Sequence, residues 1–135
     1  MDKLDIVTDE SGNEVVLLPE IIFSNKQNIN WNDVEDYLGK YVGELIEIAE
    51  TRDIIYIGNK FPDEYGGSSY TRKTKGARAK AKANAAQGIR EMVEIATDKV
   101  YRENHKEKHS EDAHNGWFYY VTRFAIPLYN NEKKT

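Results

Sequence analysis

The chain contains no cysteine. That excludes a disulfide framework, a thiol nucleophile, an iron–sulfur cluster and any cysteine-ligated zinc. Proline occurs three times and tryptophan twice, and no stretch has the composition of a linker between domains. The longest apolar stretch, residues 15–23, is interrupted by Pro19 and Glu20. It falls far short of the roughly 20 apolar residues a membrane helix requires. The N-terminus carries Asp2 and Asp5 and lacks the basic start of a secretory signal. A cytoplasmic protein with no membrane partner is expected. One further absence is local: residues 65–90 contain no acidic side chain at all.

What is present fits one α+β domain over residues 1–135, with an N-terminal hairpin extension at 1–20 and a tail at 130–135. The net charge of −4 conceals three blocks. Residues 1–64 carry 5 basic and 15 acidic side chains. Residues 65–90 carry 7 basic ones, and residues 91–135 carry 7 basic and 8 acidic. An acid-free basic segment can bind an anion even in an acidic chain, unless the acidic half neutralises it within the fold.

Local patterns place the elements. Leu4, Ile6, Val15 and Leu17 alternate with polar neighbours around the turn Asp9-Glu10-Ser11-Gly12-Asn13, which predicts a hairpin over 4–18. Asn30 caps a helix whose apolar positions are Trp31, Val34, Leu38 and Tyr41. Residues 44–50 read as either helix or strand. Gly43, the β-branched Ile46 and Ile48, and the turn at 50–53 favour a hairpin with Ile54-Ile55-Tyr56-Ile57. Residues 58–70 read as a loop. Six alanines between 77 and 86 predict a helix over 75–87. Ile89, Met92, Val93, Ala96 and Val100 predict a second amphipathic helix. The aromatic segment that opens at Trp117 is the strongest strand signal, and it predicts a C-terminal strand over 117–128. Trp31, Leu38, Ile55, Met92, Val93, Trp117 and Phe124 are the expected core.

Several constellations bear on chemistry. His105 and His109 stand four apart, the spacing of two metal ligands on one helix face. Lys106 occupies the position where the zincin pattern has Glu, and a cation between two ligands opposes a metal, so no metal and no cofactor is expected. The same histidines suit acid–base cleavage of RNA without a metal. His105, His109 and His114 supply acid and base, and Arg123 supplies charge stabilisation. Gly67-Ser68-Ser69-Tyr70-Thr71-Arg72-Lys73-Thr74 has Arg72 where a phosphate loop has its second glycine. Pro62-Asp63 lacks the Glu-x-Lys of metal-dependent nucleases on a core strand. The basic helix, with the flanking aromatics Tyr65, Tyr70 and Tyr101, is the best binding feature. Tyr70, Arg72, Lys73, Lys75, Arg78 and Lys82 combine cations for phosphates with a ring for stacking.

Four segments carry a family likeness: Asp53-Ile54-Ile55-Tyr56-Ile57-Gly58, Phe61-Pro62-Asp63-Glu64-Tyr65, Lys80-Ala81-Lys82-Ala83-Asn84-Ala85-Ala86-Gln87 and Gly116-Trp117-Phe118-Tyr119-Tyr120. Together they resemble a bacterial family, without an assigned activity, that is carried on phages and conjugative elements, sometimes within large polyvalent proteins. The resemblance spans residues 20–130 and implies an accessory role on a mobile element. The layout, helices followed by a C-terminal antiparallel sheet, is also similar to barnase-like and RelE-like ribonucleases, at the level of fold alone. Members of the first family continue beyond the final strand with a further strand pair. The resemblance therefore implies an incomplete sheet here, with an edge open to a second copy of the chain. The leading expectation is a non-catalytic module that binds nucleic acid, or a protein partner, through the basic helix. The alternative is a metal-independent ribonuclease.

Overall fold

The computed structural model describes residues 3–24, 29–67, 71, 76–103 and 117–127. The fold is α+β, with small sheets packed against short helices. Strands β1 (Asp5–Thr8) and β2 (Glu14–Leu17) form the N-terminal hairpin in the register Ile6 opposite Val16. Asp9 builds its turn by accepting from the Ser11 and Asn13 amides, each at 2.9 Å. Gly12 supplies the positive φ of +87° that the reversal needs. Val16 and Leu18 face inward and are buried.

Helix α1 (Trp31–Leu38) starts where Asn30 accepts from the Asn32 amide at 3.1 Å. Its inner stripe is Trp31, Val34 and Leu38, and a 3₁₀ turn (Gly39–Tyr41) extends it. Buried Tyr41 then donates to the Ala86 carbonyl at 2.7 Å. Strands β3 (Leu45–Glu47) and β4 (Ile54–Tyr56) pair antiparallel, with Ile46 opposite Ile55. The hairpin reading of 44–50 therefore holds.

Three segments depart from sequence expectation. Residues 61–67, read as loop, form helix α2 (Phe61–Gly67). Pro62 occupies the first turn, where its missing N–H costs nothing, and Asp63 and Glu64 face the positive end of the helix dipole. Phe61 and Tyr65 meet edge to face one turn apart, at 5.7 Å. Gly66 is buried against α1, where a Cβ would come within 2.8 Å of the Glu35 side chain. The glycine that reads as a helix breaker is the one that admits the neighbouring helix.

Helix α3 (Gly76–Ala85) continues through a 3₁₀ turn (Ala86–Gly88) into helix α4 (Ile89–Glu94). The second departure follows. The stripe Ile89, Met92, Val93 and Ala96 packs as predicted, but the helix does not reach Val100. Instead β5 (Thr97–Arg102) pairs with β6 (Trp117–Val121), with a bulge between Thr97 and Val100. The aromatic strand gives the β-branched Thr97 and Val100 a better partner than a helix would. The segment expected as one strand over 117–128 breaks at Thr122 and Arg123. β7 (Phe124–Ala125) then joins the first sheet, parallel to β2. Trp117, expected in the core, is 41% exposed, while Phe124 packs on the core edge.

A buried polar ladder fixes α3. Asn84, fully inaccessible, accepts from the Ile22 amide at 2.8 Å and the Phe23 amide at 3.1 Å. It donates to the Phe23 carbonyl at 2.9 Å and the Lys80 carbonyl at 2.8 Å. Gln87 donates to the Glu20 carbonyl at 2.9 Å. Two amide side chains thus replace a β partner for residues 20–23.

Candidate functional site

Two features stand out on the surface: a groove beside α3 and the ribbon formed by β5 and β6. The groove has two chambers. The larger, about 550 Å³, lies between β4, α2, α4 and the end of the ribbon. Its walls combine branched aliphatics, among them Ile55, Ile57, Ile89 and Val93, with the rings of Phe61, Tyr65 and Tyr120. The smaller, about 330 Å³, lies against α3 and is lined by Arg78, Lys82 and Phe124. Tyr65, Met92 and Thr122 line both chambers, so the two share a wall.

The wall is built by hydrogen bonds. Tyr65 donates from its hydroxyl to the Lys82 carbonyl at 2.6 Å, and burial pushes its pKa up. Thr71 donates to the Tyr65 carbonyl at 3.1 Å. The Lys82 ammonium donates to Thr71 Oγ1 at 2.6 Å and lies 4.9 Å from the centre of the Tyr65 ring. Partial burial lowers the Lys82 pKa. On the opposite side Thr122 donates to the Met92 carbonyl at 2.7 Å.

The fate of the basic segment follows from these contacts. Arg90 is neutralised by Glu44 at 2.6 Å and by Glu94 at 3.6 Å. Arg78 and Lys82, one turn apart on α3, have no carboxylate partner among the described residues. Glu44 of the acidic half therefore answers Arg90, while Arg78 and Lys82 line the groove. Of the six residues expected to bind nucleic acid, Arg78 is exposed and Lys82 is turned partly inward. Tyr70, Arg72, Lys73 and Lys75 lie outside the described residues.

The ribbon presents two faces. Directly opposed residues share a face, so Val100, Arg102, Trp117 and Tyr119 lie together. Every one of them is exposed, and the Arg102 guanidinium stands 5.7 Å from the centre of the Tyr119 ring. The other face carries Tyr101 tilted against Phe118, ring centres 5.3 Å apart, with Lys99 over the Phe118 ring at 4.3 Å. That face is tethered to the body. Asp53, in the β3–β4 turn, accepts from Lys99 at 2.8 Å and from the Tyr120 hydroxyl at 2.7 Å. These bonds hold the Asp53 carboxyl down at about 2, with the Lys99 ammonium the larger cause. The Lys99 pKa is raised in return, chiefly by its bond to Asp53. The Tyr120 pKa is raised too, by desolvation and then by the same carboxylate.

Of the expected catalytic set, Arg123 is half-buried at the start of β7, where its carbonyl accepts from the Val16 amide at 3.0 Å. His105, His109 and His114 lie outside the described residues. Among the described residues no three His, Asp or Glu side chains converge as a metal site would require. None of the described helices is long and apolar enough to cross a membrane. Sequence reading took Tyr65 only as an aromatic flanking the basic helix, and it missed Asp53, Lys99, Tyr120 and Thr122. The only prior signal was the alternation of rings along Trp117-Phe118-Tyr119-Tyr120, which marks two distinct faces.

No protein-family model matches the chain, and no curated protein or solved structure matches it.

Proposed function

We propose that this chain is a non-catalytic cytoplasmic binding module, an accessory of mobile elements, that holds single-stranded nucleic acid on its aromatic ribbon. The observation that carries this reading is the exposed face of Val100, Arg102, Trp117 and Tyr119. Trp117 and Tyr119 stand two residues apart on one strand, about 7 Å along it. That places two π-faces in series, flanked by a guanidinium with no acid partner among the described residues. Such platforms bind single strands without base-specific contacts.

The test is fluorescence anisotropy of a labelled oligothymidylate and an oligouridylate at low salt. Binding that weakens steeply with salt is expected. Trp117→Ala and Tyr119→Ala should each weaken it by about 1–3 kcal/mol. Circular dichroism of each variant should show the wild-type fold, which separates loss of binding from loss of structure. A wild-type chain with no affinity at low salt refutes the proposal, and a protein partner for the ribbon then takes its place.

A further inference from the structure

The groove carries a separate inference, independent of the ribbon. We infer that the two-chambered groove is a binding site for an amphipathic anion, a medium-chain carboxylate with its alkyl chain in the larger chamber and its headgroup at Lys82 and Arg78. Three observations combine. The first is shape and lining. A cavity of about 550 Å³ falls within the roughly 300–1,000 Å³ typical of small-molecule sites. Its predominantly apolar walls, in which Ile55, Ile57, Ile89, Met92 and Val93 take part, can bury a hydrocarbon chain.

The second is charge. The rim of the larger chamber carries Lys60 and Glu64, one of each sign, which offset each other. The smaller chamber carries Arg78 and Lys82, both cationic, with no carboxylate against either among the described residues. The uncompensated charge therefore lies at one end, and it fixes the direction in which an amphiphile would lie. The third is preorganisation. The Lys82 ammonium is held at the shared wall by Thr71 and by the Tyr65 ring. It cannot move out to bulk water without giving up both contacts. A half-buried, positioned ammonium beside an apolar chamber binds a carboxylate more tightly than an exposed lysine does, because the local dielectric is low.

The experiment is isothermal titration calorimetry of the full chain with octanoate, decanoate and 1-decanol. One equivalent of decanoate should bind, about fifteen-fold tighter than octanoate, since each buried methylene contributes roughly four-fold. Decanol should bind at least ten-fold more weakly than decanoate. Lys82→Gln should cut decanoate affinity about ten-fold while leaving decanol unchanged, which separates loss of charge from loss of the pocket. Val93→Trp, on the chamber wall, should weaken acid and alcohol together. The assignment is overturned if decanoate does not bind, if acid and alcohol bind equally, or if Lys82→Gln leaves decanoate affinity intact. None of these readouts involves nucleic acid, so a failure here leaves the ribbon's reading standing, and the reverse.

Discussion

Asn84→Ala should be among the most damaging single substitutions in this chain, although it removes no apolar contact. The Asn84 side chain is completely inaccessible and makes four hydrogen bonds with backbone groups. Removing it leaves the Ile22 and Phe23 amides and the Phe23 carbonyl without their partners. The Lys80 carbonyl lies within α3 and retains its place in the helix ladder. A buried orphaned backbone group costs about 1–3 kcal/mol. The three orphans lie in a segment that is only partly covered, which puts each near the low end and the total near 3 kcal/mol. With an unfolding entropy of about 2.1 cal/mol/K per residue, that corresponds to a fall in Tm of about 10 °C. Urea unfolding followed by circular dichroism, with calorimetry for Tm, measures both numbers. Asn84→Asp isolates the mechanism. It keeps the volume and the two accepted bonds, but it turns a carboxylate oxygen toward two carbonyls. At neutral pH it should be at least as destabilised as the alanine variant, and it should recover as acid restores a donor. An alanine variant within about 1 kcal/mol of wild type, or an aspartate variant indistinguishable from it at pH 7, would refute the reasoning.

Three further outcomes follow from the contacts described. The Asp53 carboxyl is held at about 2 against an ordinary 3.8, so its ties to Lys99 and Tyr120 favour the folded state above pH 4. They are lost as pH falls through about 2; Trp117 fluorescence should change in that window, and Asp53→Asn should abolish the change. Gly88→Ala would place a Cβ 3.0 Å from Leu18 Cδ2 and 3.3 Å from Leu4 Cδ1. Both leucine methyls must give by a few tenths of an ångström, so the net change should stay within about 1 kcal/mol, with any acceleration of hydrogen exchange falling on the β1–β2 amides before those of α1. Leu38→Ala empties a fully buried position between α1 and the core and should cost about 2–5 kcal/mol by urea unfolding.

The elements legible in the sequence are those whose signals are local. Asp9 and Gly12 define one hairpin, Asn30 caps one helix, and the glycine and turn residues around Ile46 define another hairpin. Arg78 and Lys82 were legible as one helical face for the same reason. The misreadings come from distant partners. Helix α2 exists because Gly66 admits α1, and no property of residues 61–67 alone reports that neighbour. The helix expected to reach Val100 stops because β6 offers β5 a partner. Trp117 looked like core because large rings usually are, whereas here the inward-facing ring of its strand is Tyr120, tied to Asp53. The Asp53–Lys99–Tyr120 tether spans separations of 46 and 67 residues. Such a cluster leaves no mark on local periodicity.

The parallel pairing of β2 with β7 has a consequence for the order of folding. It joins Val16 to Phe124, segments roughly a hundred residues apart. The Val16 and Leu18 amides find their acceptors, the Arg123 and Ala125 carbonyls, only once that distance has closed. On a ribosome the N-terminal hairpin would emerge long before its third strand, with one polar edge still open. Closing so long a loop costs entropy that local contacts do not repay, so this pairing belongs to the last stage of folding. Until then the edge of β2 is an open template for pairing with another copy.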